Sequence, residues 1–118
     1  MQINTSGNFI NEENKMAYRV LSRYHRPDPS IEWHSNLDLN EELNILILEM
    51  NFTEFHGRKI RTITEPDALT LEVEFIWETQ ELYEDWASRD IIIQRQQLID
   101  DYNLSVGITA DPKEKTII

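Results

Sequence analysis

His25, Asp28, Glu32 and His34 fall within a single loop-forming stretch, and imidazole nitrogens with carboxylate oxygens are the ligand set that zinc and similar ions take. Their spacing matches no established metal motif, and a solvated loop accounts for them without an ion, so neither a metal nor any other cofactor is assigned. Paired carboxylates could do acid–base work if they shared a site. The pairs in this chain, Glu41-Glu42, Glu84-Asp85 and Asp100-Asp101, are sequence neighbours whose side chains diverge on a helix. There is no cysteine, which removes thiol nucleophiles, thiolate metal sites and disulfides. Only three glycines are present, with no glycine-rich phosphate loop and no G-x-S-x-G elbow, which argues against nucleotide binding of the usual kinds and against serine hydrolysis.

The elements that would position any site are easier to read. Arg58 to Glu78 has the pattern of a β-hairpin: Leu69, Leu71, Val73, Phe75 and Trp77 alternate with Thr70, Glu72, Glu74, Ile76 and Glu78. A four-residue turn Glu65-Pro66-Asp67-Ala68 predicts Thr62 opposite Leu71 and Ile60 opposite Val73, with Arg61 meeting Glu72 and Lys59 meeting Glu74 on the other face. Met16 to His25 also alternates, with Met16, Tyr18, Val20, Ser22 and Tyr24 on one side, and reads as a strand. Pro27 and Pro29 end it and open a loop to Asn36, from which Ile31 and Trp33 fold back onto the core.

Asp38 and Glu41 form a capping-box arrangement that predicts a helix with Leu39, Leu43, Leu46 and Met50 along one stripe and Ile47 beside it, leaving at Gly57, although the apolar run Ile45 to Leu48 would by itself also suit a buried strand. Thr79 is placed to cap a second helix, with Leu82 and Trp86 on one face. Ser88 to Asp90 interrupts the apolar pattern before Ile91, Leu98 and Tyr102 resume it, so this is one kinked helix or two shorter ones, ended by Asn103 and Gly107. Residues 1–15 are polar and read as a flexible N-terminal arm, 16–109 as one α+β domain, and 110–118 as a tail or edge strand.

At 118 residues and 40% hydrophobic content the chain has material for one core. Eleven basic residues against 22 acidic ones give a net charge of −11, which disfavours phosphate backbones and anionic lipid: no nucleic acid and no membrane partner is expected. Nine acids and a single base, Arg89, lie between Glu65 and Asp90, which reads as a solvated acidic surface. Asn11 to Asn14 is polar where a signal peptide would be apolar, and the longest apolar run, Ile45 to Leu48, is too short to span a bilayer, so the expected location is the cytoplasm.

The order strand, helix, strand, strand, helix, with a weak last strand, is that of a ferredoxin-like βαββαβ domain: an antiparallel sheet with two helices on one face. Over about Met16 to Gly107 it resembles the dimeric α/β-barrel superfamily, especially its antibiotic-biosynthesis-monooxygenase-like domains. The resemblance rests on the hairpin to Trp77, on Thr79-Gln80-Glu81-Leu82-Tyr83-Glu84-Asp85-Trp86 opening a helix, and on Arg95 further along it. The segment Tyr102 to Thr109 is also similar to small uncharacterised proteins of tailed bacteriophages. The superfamily resemblance implies a homodimer joined through open sheet faces and a pocket between sheet and helices. Its haem-degrading members use an asparagine on the first strand and a histidine on the second helix, whereas His25, His34 and His56 all precede the hairpin here. Cofactor-free oxygenation of a small aromatic substrate is the chemistry the resemblance leaves. Tyr18, Tyr24, Trp77 and Trp86 would line the pocket, and Arg61 or His25 would stabilise developing negative charge. Core filling and surface ion pairing account for the same residues without chemistry.

Three roles follow. The leading one is a small non-catalytic binding or assembly module that dimerises through its sheet, of the kind a phage accessory protein would be. The others are a cofactor-independent monooxygenase-like enzyme, and an acidic protein that occupies a basic site on a host protein.

Overall fold

Alternation along Tyr18–His25 makes strand β1, with Tyr18, Val20, Ser22 and Tyr24 buried on one face. The computed structural model describes residues 17–55 and 58–118; the expected N-terminal arm, His56 and the Gly57 exit lie outside them. A short 3-10 turn (His34–Asn36) follows the proline loop. Helix α1 (Glu41–Glu54), strands β2 (Arg58–Asp67) and β3 (Thr70–Trp77), helices α2 (Gln80–Ala87) and α3 (Asp90–Val106), and strands β4 (Thr109–Ala110) and β5 (Glu114–Ile117) complete the chain. The sheet order is β2-β3-β1-β4, with β5 also beside β1, and every pairing is antiparallel. β4 covers the Tyr24 end of β1 and β5 the Tyr18 end, so the two act as one edge strand broken at residues 111–113. This is the ferredoxin-like α+β fold, and of the two forms open for the stretch after Thr79 it takes that of two shorter helices, the break before Asp90 separating α2 from α3.

The hairpin register differs from the expected one. Thr62 lies opposite Glu74, not Leu71, and Arg61 lies opposite Phe75. The turn closes at Ala68-Leu69, where the Asp67 carboxylate accepts the Leu69 amide at 2.8 Å, and Pro66 sits in the irregularity between Thr64 and Asp67, where its missing amide costs no ladder bond. The shift, from partner 71 to partner 74, is an odd number of residues and exchanges the faces of β2. Arg61 and Ile63 therefore share the helix side of the sheet with Val73 and Phe75. On the outer side Glu72 and Glu74 pair with arginines of β1: Arg23 Nε donates to Glu72 at 2.8 Å, and Arg19 donates to Glu74. β3 has a neighbour on each side, and β1 supplies the counter-charges that the sequence reading drew from β2.

α1 begins at Asn40, whose side chain accepts the Leu43 amide at 3.0 Å; Asp38 instead accepts from the Asn44 side-chain amide at 2.7 Å. Asparagine caps as well as aspartate, and a start at Glu41 buries Leu43, Ile47 and Met50 while Leu46 stays half exposed. The capping box and the stripe through Leu46 are corrected accordingly. Thr79 caps α2 as the sequence predicts, accepting the Leu82 amide at 3.1 Å. Gly107 ends α3 at φ +84°, a left-handed position that favours glycine.

Two apolar clusters fill the space between sheet and helices. One gathers Tyr18, Val20, Leu43, Ile47, Met50, Phe55, Trp77, Tyr83 and Ile92. The other gathers Tyr24, Trp33, Leu71, Val73 and Ile108, so Trp33 does fold back, with Ile31 packed beside it. Phe75 packs against both. Among the described residues no helix is long and apolar enough to cross a membrane.

Candidate functional site

A cavity of about 460 Å³ opens where the two clusters meet, with the sheet as its floor and α3 as its roof. That size suits a small organic molecule. Ser22, Val73 and Phe75 come from the sheet, Ile47 from α1, Trp86 from the end of α2, and Ile92, Arg95 and Ile99 from α3. Alternation on β1 and β3 aims Ser22, Tyr24, Val73 and Phe75 inward, and the helical repeat puts Ile92, Arg95 and Ile99 on one side of α3. Trp86 is held in place by its indole N–H, which donates to Asn51 Oδ1 of α1 at 2.8 Å, and its ring stands 5.8 Å from that of Phe75.

The charged lining is mostly basic. Arg61, Arg95 and Lys113 reach the cavity from β2, α3 and the break between β4 and β5, with the carboxylate of Asp100 as the one acid among its lining residues. Arg95 donates to the side-chain oxygen of Asn44, and the Lys113 ammonium donates to the buried Ser22 hydroxyl at 2.8 Å. Burial, reinforced by the charge of Arg61, lowers the pKa of Arg95; burial and Lys115 lower that of Lys113. Lys113 is exposed as a residue, but its charged end is the part that loses water.

His34 is 4% exposed, and its ring meets that of Tyr24 edge-on at 4.6 Å between centroids. Burial pushes its pKa down to about 4, and the charges of Arg95, Lys113 and Arg61 add to the effect, so the imidazole is neutral at pH 7. Its Nδ1 has no hydrogen-bond partner among the described residues. Burial raises the pKa of the Tyr24 phenol, which keeps its proton.

The residues singled out from the sequence separate into three places. Tyr24, Trp86 and Arg61 line the cavity. Tyr18 and Trp77 are in the filled core: Trp77 is fully buried against Phe55, Phe75, Tyr83 and Trp86, and Tyr18 packs on Tyr83. His25 is on the outer face of β1, with Nε2 3.1 Å from both carboxylate oxygens of Asp111, and is not among the cavity residues. The proposed metal loop is dispersed as well. Asp28 accepts from Ser30, Glu32 accepts from Asn36, and His34 turns inward, so no group of three or more ligand side chains comes together among the described residues. Arg95, His34 and Lys113 are among the cavity residues that the sequence reading did not assign to a pocket. For Arg95 a signal existed, since it repeats with Ile92 and Ile99 along α3; for Lys113, in a short irregular segment, there was none.

The acidic stretch from Glu65 to Asp90 is not one free surface. Glu72 and Glu74 are paired with Arg23 and Arg19, and Asp85 with Arg89 at 3.3 Å, while Arg89 also reaches Glu54 at 2.8 Å.

The ferredoxin-like fold is shared with several solved structures, among them antibiotic-biosynthesis-monooxygenase-like proteins. SnoaB from Streptomyces nogalater, a cofactor-independent oxygenase, is similar at TM-score 0.57 and 8% identity, over 87% of this chain and 93% of that one. A putative antibiotic biosynthesis monooxygenase from Caulobacter crescentus is similar at TM-score 0.55 and 8% identity, over 92% and 97% of the two chains. A conserved protein of unknown function from Bacteroides thetaiotaomicron, a possible oxidoreductase, is similar at TM-score 0.56 and 11% identity, over 88% and 99%. At these identities the likeness is one of fold alone. No family model matches the chain, and no curated protein matches it in sequence.

Proposed function

We propose that the protein is a small-molecule-binding module whose ligand, a compact aromatic compound, lies in the cavity between the sheet and α3. The observation that carries this reading is the cavity itself: about 460 Å³ left open between two apolar clusters, with Phe75 and Trp86 presenting ring surface to it. A concave, mostly apolar space with a few polar groups at its mouth is the usual form of a small-molecule site. Binding of 2-naphthol should quench the tryptophan fluorescence of the wild-type protein, and Ala87→Trp, which puts a bulky ring into the cavity wall, should abolish the quenching in a protein that remains folded by circular dichroism. Unchanged quenching in the filled variant would place the ligand elsewhere.

Oxygenation of such a compound without a cofactor is the second reading. It is favoured by the cations Arg61, Arg95 and Lys113 at the cavity, which would stabilise the anion of an ionised aromatic. Uptake of dioxygen in the presence of the bound aromatic separates catalysis from binding alone. We further propose that two copies meet through the outer face of the sheet, where the Arg19–Glu74 and Arg23–Glu72 pairs neutralise charge that would otherwise repel a partner. A solution mass near 14.0 kDa, that of one chain, would contradict it.

A further inference from the structure

A chain of net charge −11 has collected three cations around one cavity. Arg61, Arg95 and Lys113 come from three separate elements, so no local sequence run explains their meeting. Three other arginines, Arg19, Arg23 and Arg89, each hold a carboxylate, while Arg26 donates to the backbone carbonyls of Ala68 and Ile31. Among the described residues none of the three cavity cations has a carboxylate within ion-pair distance. Asp100, the one acid among the lining residues, is exposed and accepts from the Gln96 side-chain amide at 3.0 Å. Three positive charges face one negative charge across a space walled by Ile47, Val73, Phe75 and Ile92.

We propose that the ligand of this cavity is an aromatic carboxylic acid, its ring against Phe75 and Trp86 and its carboxylate among Arg61, Arg95 and Lys113. The proposal rests on the cavity being a binding site, and it adds the charge of the occupant. Arg95 and Lys113 are drawn partly out of water, and Arg61 adds repulsion at Arg95; a bound carboxylate relieves both costs, and Arg95 or Arg61 offers the planar donor fork that carboxylates accept. The lowered pKa values of Arg95 and Lys113 are consistent with a cationic pocket that lacks its anion. Inorganic phosphate satisfies the charge but leaves the apolar walls unused. Steering helps too, because a local positive opening on an acidic protein attracts anions that the rest of the surface repels.

The test compares 2-naphthoate with 2-naphthamide, which has nearly the same shape and no charge, by isothermal titration. Naphthoate should bind about tenfold more tightly than the amide, and the ratio should shrink as salt rises from about 0.05 M to about 0.5 M. Both Arg95→Gln and Lys113→Gln should reduce the acid-to-amide ratio to about twofold or less. Lys113 is on the surface, so its variant tests the charge even if loss of the Arg95–Asn44 bond disturbs α1. Equal affinities for acid and amide in the wild-type protein would overturn the proposal while leaving the cavity a binding site. Binding of inorganic phosphate as tightly as naphthoate would also overturn it. If neither aromatic compound binds, the binding-site reading and this proposal fail together.

Discussion

Trp77→Ala should destabilise the domain by about 3–5 kcal/mol, the usual range for emptying a fully buried large aromatic site. Trp77 closes β3 with no exposed surface, and four aromatic neighbours surround it: the ring centroids of Trp86, Tyr83, Phe55 and Phe75 lie 5.1, 5.9, 6.4 and 6.4 Å away. Those neighbours belong to α1, α2 and β3 itself, so collapse around the void would have to move elements that polar bonds hold in place. Trp86 is tied to Asn51, and Arg89 to Glu54. Glu74→Gln is the matched control three residues away. It weakens a half-exposed ion pair and should cost under about 1 kcal/mol. Urea midpoints measure both, and comparable losses in the two variants would contradict the assignment of Trp77 to a filled core.

Acid should destabilise the protein through His34. Its pKa is about 4 in the folded protein against an ordinary 6.5, so the unfolded chain takes up the proton first. The stabilising contribution is complete above pH 6.5, falls as the pH drops from 6.5 toward 4, and is absent below that. A difference of this size corresponds to about 3 kcal/mol across the window. Carboxylates titrate near its lower end, so the measurement is the difference in pH dependence between the wild-type protein and His34→Leu. The variant should lose the slope between pH 6.5 and pH 5, where few carboxylates respond. Parallel profiles would show that His34 is solvated and does not belong to the cavity wall.

The strands were legible because alternation is a local property. Tyr18, Val20, Ser22 and Tyr24 follow each other at period two, and no tertiary knowledge is needed to put them on one face. Register was not legible, because it depends on where the turn closes. Pro66 looked like the turn, yet the chain accommodates it in an irregular step and turns at Ala68-Leu69 under the Asp67 carboxylate. Charge complementarity could not correct the error, since both β1 and β2 carry basic residues that could pair with Glu72 and Glu74, and only the sheet order selects β1. Misplacing the register put Arg61 on the outer face, and the corrected register puts it in the cavity wall. For the site itself, Tyr24 and Trp86 could be named from residue type, because large amphipathic rings suit both cores and pockets. Which rings face a void and which fill the core is decided by packing among α1, α2 and β3, and that is invisible in the order of residues. His34 looked like a loop ligand because its neighbours Asp28 and Glu32 are polar; the buried Trp33 beside it carries it inward.

The proposed function stands or falls with ligand binding in the space under α3. Backbone amide shifts recorded while 2-naphthamide is added test it most directly, because the amide makes no demand on the cationic groups. Saturable shifts should centre on Ser22, Val73, Phe75, Trp86 and Ile92, on both sides of the cavity. Shifts confined to the exposed apolar side chains of α1, such as Leu48 and Phe52, or no saturable shifts at all, would contradict it.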